Sequence, residues 1–231
     1  MLPFLSEASG GGADAGKPSL MFSVKRYLDE YLGLLSHLDP TAIERLAQIL
    51  LGAWRTNRTV FCCGNGGSAT NACHFVADLT KLTAPARGRR LRALALTESV
   101  AAISAIANDI SYDEIFVEQM RSFIAPNDVL VAFSTSGASP NVIRAVEYAN
   151  SVAAVTVAVT GRQGVRLQGL ARHVLVVHST SVQQVEDATM MIGHLLCLRT
   201  KELIAHESLD VPFREKAAML HVLRAEDRPA V

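Results

Sequence analysis

Short apolar runs alternate with stretches of helical periodicity along most of this 231-residue chain. Each run is rich in β-branched residues or too short for a helix, so each predicts a strand. The runs cover residues 59–63, 91–96, 129–133, 154–160 and 173–177. Strands that are apolar on both faces, with helices between them, are typical of a parallel sheet covered on both sides. We therefore expect an α/β fold in which helices flank a doubly wound, five-stranded parallel sheet, an αβα sandwich.

The segments between the runs and after the last one are predicted helices, because their apolar residues recur at intervals of three and four. They cover residues 68–82, 99–107, 113–123, 139–150, 164–170 and 182–205. Two further helices precede the first strand, one within residues 20–38 and one that begins at Asp39 and Pro40 and runs to Trp54. Aspartate is a favoured N-cap, and proline is favoured in the first helical turn.

The chain is predicted to form one domain with an extension at each end. Residues 1–19 are rich in glycine, alanine and serine and are expected to form a flexible leader. The domain covers residues 20–206 and includes the N-terminal pair of helices. Residues 207–231 are the predicted C-terminal tail, in which Pro212 and Pro229 flank a short helical stretch at 214–224.

The formal charges balance, with 22 lysines and arginines against 22 aspartates and glutamates. This composition does not attract nucleic acid or an anionic membrane, so we expect neither as a partner. No apolar run approaches the roughly 18 residues of a membrane span. The four cysteines lie in apolar segments without the spacing of a disulfide framework, which favours reduced thiols and a cytoplasmic location.

Two loops of small residues follow predicted strands. Gly64-Asn65-Gly66-Gly67-Ser68 follows the first strand, and Ser134-Thr135-Ser136-Gly137-Ala138-Ser139 follows the third. Ligands of open α/β sheets bind beyond the carboxyl ends of the strands. Hydroxyls and glycines that lead into a helix present O–H and N–H donors to an anion. We therefore predict a phosphate site at these loops, with Gly66, Gly67 and Ser68 among its contacts.

Either loop taken alone is equally well explained as a capped turn, because serine and threonine cap helices whether or not a ligand binds. The presence of both loops on one edge of the sheet favours the phosphate site. Neither loop has the lysine of a Walker A motif, and the first lacks the glycine spacing of a dinucleotide site. The predicted ligand is therefore a phosphorylated small molecule.

Two pairs of possible metal ligands lie on predicted helices. His74 and Asp78 are four residues apart, and Glu186 and His194 are eight apart, so each pair returns to one face of its helix. Two imidazoles and two carboxylates suit Zn²⁺, and they also suit other divalent metals. The alternative for His194, which has apolar neighbours, is a buried structural histidine.

The two loops, together with His74-Phe75 and Thr160-Gly161, resemble the sugar isomerase (SIS) domain, and within it the phosphoheptose isomerases. The similarity runs from about Tyr27 to Leu203. It implies a five-stranded parallel sheet and a homotetramer whose active sites lie between subunits. It also implies conversion of sedoheptulose 7-phosphate to a manno-heptose 7-phosphate.

The resemblance implies roles for individual residues. The phosphate would be held by Ser134, Thr135, Ser136 and Ser139, with Ser68 beside them. The sugar hydroxyls would meet Asn65, Asn108 and Asp109. The family's metal ligands are His, Glu, Gln and His, and the matching positions here are His74, Asp78, Glu186 and His194. Proton transfer falls to Asp78 and His194, with Glu186 as the substitute for the shorter Asp78.

Two other functions compete with the isomerase. The first is a non-catalytic SIS protein, either a sugar-phosphate sensor or a tetrameric partner of the replication initiator, which would share both loops but not the chemistry. The second is a helical oligomerisation module built from residues 20–57 and the tail, which explains neither loop. Metal content and proton exchange on the sugar distinguish the first of these from the isomerase.

Overall fold

A computed structural model describes residues 22–85 and 89–226, with side chains described as far as residue 208. The predicted leader, residues 1–19, lies outside the described residues. No helix within the described ranges is both long enough and apolar enough to cross a membrane.

The sheet has five parallel strands in the order β2-β1-β3-β4-β5. The strands are β1 Thr59–Cys63, β2 Arg92–Ala95, β3 Val129–Ser134, β4 Val155–Gly161 and β5 His173–Val177. Each lies within one residue or so of a predicted run, so the predicted α/β fold is confirmed. β1 and β3 are neighbours, and the chain leaves them in opposite directions, to β2 on one side and to β4 on the other. The carboxyl ends of β1 and β3 are thus the switch point, where open sheets bind ligands.

Eight helices surround the sheet within the described ranges. They are α1 Val24–Leu35, α2 Pro40–Arg55, α3 Gly67–Lys81, α4 Val100–Asp109, α5 Val117–Arg121, α6 Pro140–Ser151, α7 Val165–Leu170 and α8 Val182–Glu226. A short 3₁₀ turn, Tyr112–Glu114, precedes α5. The predicted helix 113–123 is therefore two shorter pieces.

The hydrophobic core forms two layers, because successive strand residues face opposite sides of the sheet. Val60 and Cys62 of β1 point to the layer that holds α2, α3 and α8. Phe61 and Cys63 point to the layer that holds α5 and α6. The sheet is covered on both faces at β1, β3 and β4, which explains why these strands read as continuous apolar runs, whereas Arg92 and Leu94 of the edge strand β2 are exposed.

The last helix is longer than predicted. α8 continues from Val182 to Glu226, so the predicted break after residue 205 and the separate short helix at 214–224 are wrong. The misleading signal was Pro212, because a proline inside a helix costs roughly 3 kcal/mol and usually marks an end. The domain boundary predicted at 206/207 falls inside this helix.

Candidate active site

The two small-residue loops meet at the switch point. The side-chain amides of Asn65, in the loop after β1, and Asn141, at the start of α6, donate to each other over 2.8 and 2.9 Å. The hydroxyl of Tyr112 donates to the same Asn65 oxygen at 3.3 Å. The loops therefore share one cleft, as the parallel order of β1 and β3 requires.

The helices that begin at these loops lack side-chain caps. Among the helices of ten or more residues that precede α8, α1, α2 and α4 are capped by the side chains of Ser23, Asp39 and Ser99. The N-cap residues of α3 and α6, Gly66 and Ser139, make no side-chain cap bond, and in α6 the side chain of Asn141 accepts from the N–H of Val142. The first backbone N–H groups of a helix have no partner within the helix, so an uncapped start offers them to an anion. This difference favours an anion site at the two loops over ordinary capped turns.

The hydroxyls of the loop Ser134–Ser139 divide into structural and available groups. Ser134 is buried, and its Oγ accepts from the backbone N–H of Gly137 at 3.1 Å. Ser136 is exposed, and its Oγ accepts from the N–H of Ala138 at 3.3 Å. Within the described part of the chain, the hydroxyls of Thr135, Ser139 and Ser68 make no hydrogen bond, which leaves them available as donors to a ligand.

The carboxyl end of β4 supports the loop that follows β3. The Thr160 hydroxyl donates to the Ser134 carbonyl at 2.6 Å, and the Gly161 N–H donates to the Thr135 carbonyl at 3.1 Å. Gly137 has a φ of +58°, and a Cβ there would collide with the backbone of Gly164. The loop shape therefore depends on glycine at position 137.

We expect Gly137→Ala to destabilise the protein and to weaken phosphate binding. A left-handed φ alone costs a non-glycine residue roughly 1–2 kcal/mol, and the collision with Gly164 adds to it. Chemical denaturation measures the loss. Gly52→Ala is the matched control, because an added Cβ in α2 meets nothing within 4 Å and removes helix-destabilising glycine. The control should be neutral or more stable by up to about 1 kcal/mol.

Three of the four predicted metal ligands come together between α3 and α8. The ligand atoms of His74, Asp78 and His194 all lie within 4.8 Å of one another. The two Nε2 atoms are 2.9 Å apart, and Asp78 Oδ2 lies 3.4 Å from Nε2 of His74 and 3.7 Å from Nε2 of His194. Both imidazoles are half exposed, so His194 is not the buried structural histidine of the alternative prediction.

Glu186 lies apart from these three residues. It is on the same face of α8 as His194, but eight residues correspond to about 12 Å along a helix axis. Its carboxylate packs against Gly67 in the first turn of α3, where any side chain would collide with it. The carboxylate is partly buried, and it makes no hydrogen bond within the described chain. Glu186 therefore lies at the anion end of α3, and the His–Asp–His group lies two turns further along.

Asn108 and Asp109 lie at the exposed end of α4, where the Asn108 amide donates to Asp109 at 2.7 Å. Asp109 comes three residues before Tyr112, whose hydroxyl contacts Asn65 in the cleft. Tyr112 and Asn141 were not predicted as site residues. Asn141 carried a usable signal, because an amide in the first turn of α6, directly after the serine loop, is placed to meet the neighbouring loop.

The buried cysteines of this region are not candidate nucleophiles. All four are free thiols, and three of them are buried. Burial raises the pKa of Cys63 to about 12 and holds the pKa of Cys62 well above its usual value. A thiol needs its thiolate form to attack. The chemistry of the cleft therefore belongs to the imidazoles, carboxylates and hydroxyls.

Comparison with known proteins agrees with this geometry. Residues 26–161 match the SIS domain family. A probable phosphoheptose isomerase of Thermoplasma acidophilum is 37% identical over 178 residues, which is 77% of this chain and 97% of the relative. The phosphoheptose isomerase of Helicobacter pylori is 34% identical over 167 residues, 72% of this chain and 86% of the relative.

Solved structures give the same result. The phosphoheptose isomerase of Neisseria gonorrhoeae superposes with a TM-score of 0.72 at 29% identity, covering 78% of this chain and 97% of that one. A phosphoheptose isomerase from Francisella tularensis superposes with a TM-score of 0.71 at 28% identity, covering 78% of this chain and 96% of that one. The chain belongs to the SIS domain family. Within that family it groups with the phosphoheptose isomerases.

Proposed function

We propose that the protein is an isomerase that converts sedoheptulose 7-phosphate to a manno-heptose 7-phosphate. The observation that carries the proposal is that α3 contributes to both the phosphate site and the His–Asp–His group. Its first turn at Gly67 lies at the anion site, and His74 and Asp78 lie about 10 Å and about 16 Å further along the same helix. A phosphorylated sugar chain can bridge that distance, with its phosphate at one end and its carbonyl at the other.

The phosphate end uses the donors of both loops. Thr135 and Ser139 offer hydroxyls, Ser68 offers another, and the uncapped starts of α3 and α6 offer backbone N–H groups. Ser134 holds the shape of the loop through the Gly137 N–H. The helix dipoles favour negative charge at both helix starts, and the Glu186 carboxylate that packs against Gly67 would have to move away to admit a phosphate dianion beside α3.

Proton transfer occurs at the other end of the cleft. Isomerisation needs a base to remove a proton from the carbon next to the carbonyl and an acid to return it to the neighbouring carbon. We assign these steps to Asp78 and His194, whose reactive atoms lie 3.7 Å apart. Glu186, with an unpartnered carboxylate closer to the phosphate end, is the alternative base.

The His–Asp–His group fits a divalent cation. Two imidazole nitrogens and a carboxylate oxygen within 4.8 Å of one another are the donor set of many zinc sites, and Zn²⁺ is our proposal. A bound cation would supply positive charge to polarise the sugar carbonyl. His74 then holds the ion and orients Asp78, while Glu186 would have to move from Gly67 to become a fourth ligand.

Proton exchange tests the proposal. The purified protein should incorporate deuterium from D₂O into sedoheptulose 7-phosphate, and a divalent metal should be measurable in stoichiometric amount. Removal of that metal by a chelator should lower the exchange rate, and its return should restore it. Binding of the sugar phosphate without metal and without exchange would instead identify the non-catalytic SIS protein.

We also propose a homotetramer with active sites between subunits. Support comes from α4, which has an apolar sequence but no buried residue in the single chain. Val100 is 76% exposed and Ile110 58%. Large exposed apolar side chains at both ends of an apolar helix are consistent with an interface. Because Tyr112 next to α4 contacts Asn65, a subunit that covers α4 would border the cleft.

We expect Val100→Glu to dissociate this assembly. The buried charge would lack a partner, and such groups weaken interfaces by several kcal/mol in typical cases. Sedimentation velocity should give the mass of four chains for the native protein and a smaller mass for the variant. The same substitution at Val165, an exposed valine of α7, is the control. A native protein that sediments as a single chain would contradict the tetramer.

The cytoplasmic location stays a prediction. Its support is that Cys62, Cys63, Cys73 and Cys197 are all free, as expected for a reducing compartment.

A further inference from the structure

The amide pair between Asn65 and Asn141 has a fixed polarity. Asn141 is 1% exposed, and its Oδ1 accepts from the backbone N–H of Val142 at 2.9 Å. A backbone N–H can only donate, so the Asn141 atom that faces it must be the oxygen. The Asn141 amide nitrogen then faces Asn65 and donates to its Oδ1 at 2.9 Å.

The orientation of Asn141 determines that of Asn65. If the Asn65 amide turned over, nitrogen would face nitrogen and oxygen would face oxygen, and both bonds of the pair would be lost. Oδ1 of Asn65 also accepts from Tyr112 at 3.3 Å. Both lone pairs of that oxygen are therefore used, and one N–H of Asn65 is left for another partner. The Asn65 side chain is only partly buried, whereas that of Asn141 is closed to solvent.

We infer that Asn141 is a positioning residue that holds Asn65 as a hydrogen-bond donor to an oxygen of the bound sugar. The inference rests on the proposed function. The Val142 N–H, a donor in the first turn of α6, fixes the orientation of the Asn141 amide. The Asn141 amide in turn fixes the orientation of Asn65 in the loop after β1. One helix start thus contributes to the phosphate site and also sets the direction of a sugar contact on the other side of the switch point.

A double-mutant cycle tests the inference. The variants are Asn65→Ala, Asn141→Ser and the double substitution. Serine is too short to reach Asn65 and keeps a small polar side chain in the first turn of α6; Asn141→Ala is its companion. We expect Asn141→Ser to lower turnover of sedoheptulose 7-phosphate by roughly 10-fold or more, since a misplacement of about 1 Å can cost 100-fold.

The double variant should be no worse than Asn65→Ala alone, because Asn141 acts only through Asn65. The affinity for inorganic phosphate, measured by calorimetry, should change by less than about 2-fold, since Asn141 is assigned no phosphate contact. Asn150→Ala is the control. It removes another amide of α6, one that bonds Leu170 and Thr156 at the far end of the helix, and it should leave turnover and phosphate affinity unchanged.

Three results would overturn the inference: turnover unaffected by Asn141→Ser, a double variant whose loss equals the product of the single losses, or a parallel fall in phosphate affinity. Failure of the proposed function is separate, because it is the absence of turnover in the unmodified protein. In that case the same cycle is measured as affinity for sedoheptulose 7-phosphate relative to inorganic phosphate. The same three criteria then apply to that ratio.

Discussion

His194→Ala is expected to reduce deuterium exchange into sedoheptulose 7-phosphate by at least about 100-fold, because a positioned acid or base typically contributes 10²–10⁴ to a rate. Nε2 of His194 lies 2.9 Å from Nε2 of His74 and 3.7 Å from Oδ2 of Asp78. Its loss therefore removes a proton-transfer group and a ligand together. Affinity for inorganic phosphate should be nearly unchanged, because His194 lies about 12 Å along α8 from Glu186, the α8 residue that contacts Gly67.

His173→Ala is the matched control for this experiment. His173 begins β5, at the amino edge of the sheet, on the side opposite the loops. Exchange should survive this substitution. If His194→Ala kept the exchange rate of the native protein, or if both variants lost it equally, His194 would have no special role and the proton-transfer assignment would fail.

Ser136→Asp is expected to weaken binding of every phosphorylated ligand by at least about 100-fold. Two unit charges 4 Å apart repel by roughly 4 kcal/mol at the effective dielectric of a protein surface, and screening by solvent and salt reduces this value. Each 1.4 kcal/mol corresponds to about 10-fold in affinity. Ser136 is exposed, so the aspartate should not disturb folding. Titration with inorganic phosphate and with the sugar phosphate measures the change.

Asparagine has nearly the same size as aspartate but no charge, so Ser136→Asn separates the effect of charge repulsion from the effect of side-chain size. It should lose no more than a small part of the affinity. Higher salt should also recover part of the binding of Ser136→Asp, because salt screens exposed charges. Unchanged affinity in Ser136→Asp would remove the loop Ser134–Ser139 from the phosphate site.

The strands were predictable because a sheet covered on both faces needs apolar residues at every position. Thr59–Cys63 and His173–Val177 were predicted to the residue for this reason. The end of α8 was not predicted correctly. Pro212 is a local signal for a helix end, but the helix continues through it, so its length does not depend on the local sequence alone. The split at Tyr112–Glu114 was likewise hidden in a segment that kept an apolar period.

The site was predictable in part. The loops could be identified from their residues, because sequence shows which strand each follows. The meeting of His74 with His194 joins positions 120 apart, and it depends on the packing of α3 against α8. Glu186 shows the limit of a prediction from periodicity. Two residues on one face of a helix point the same way, but they can still be too far apart along the helix axis to bind one ion. The Asn65–Asn141 pair required knowledge that β1 lies beside β3.

The missing caps of α3 and α6 have a consequence for the energetics of the whole molecule. A capping side chain typically contributes about 1 kcal/mol relative to alanine and only a few tenths relative to glycine, so the protein without ligand forgoes a small amount of stability at Gly66 and up to the larger amount at Ser139. A ligand that binds only the folded form returns stability in proportion to the logarithm of its concentration. Substrate supply and resistance to unfolding are therefore thermodynamically linked, and the protein is most durable when it is occupied.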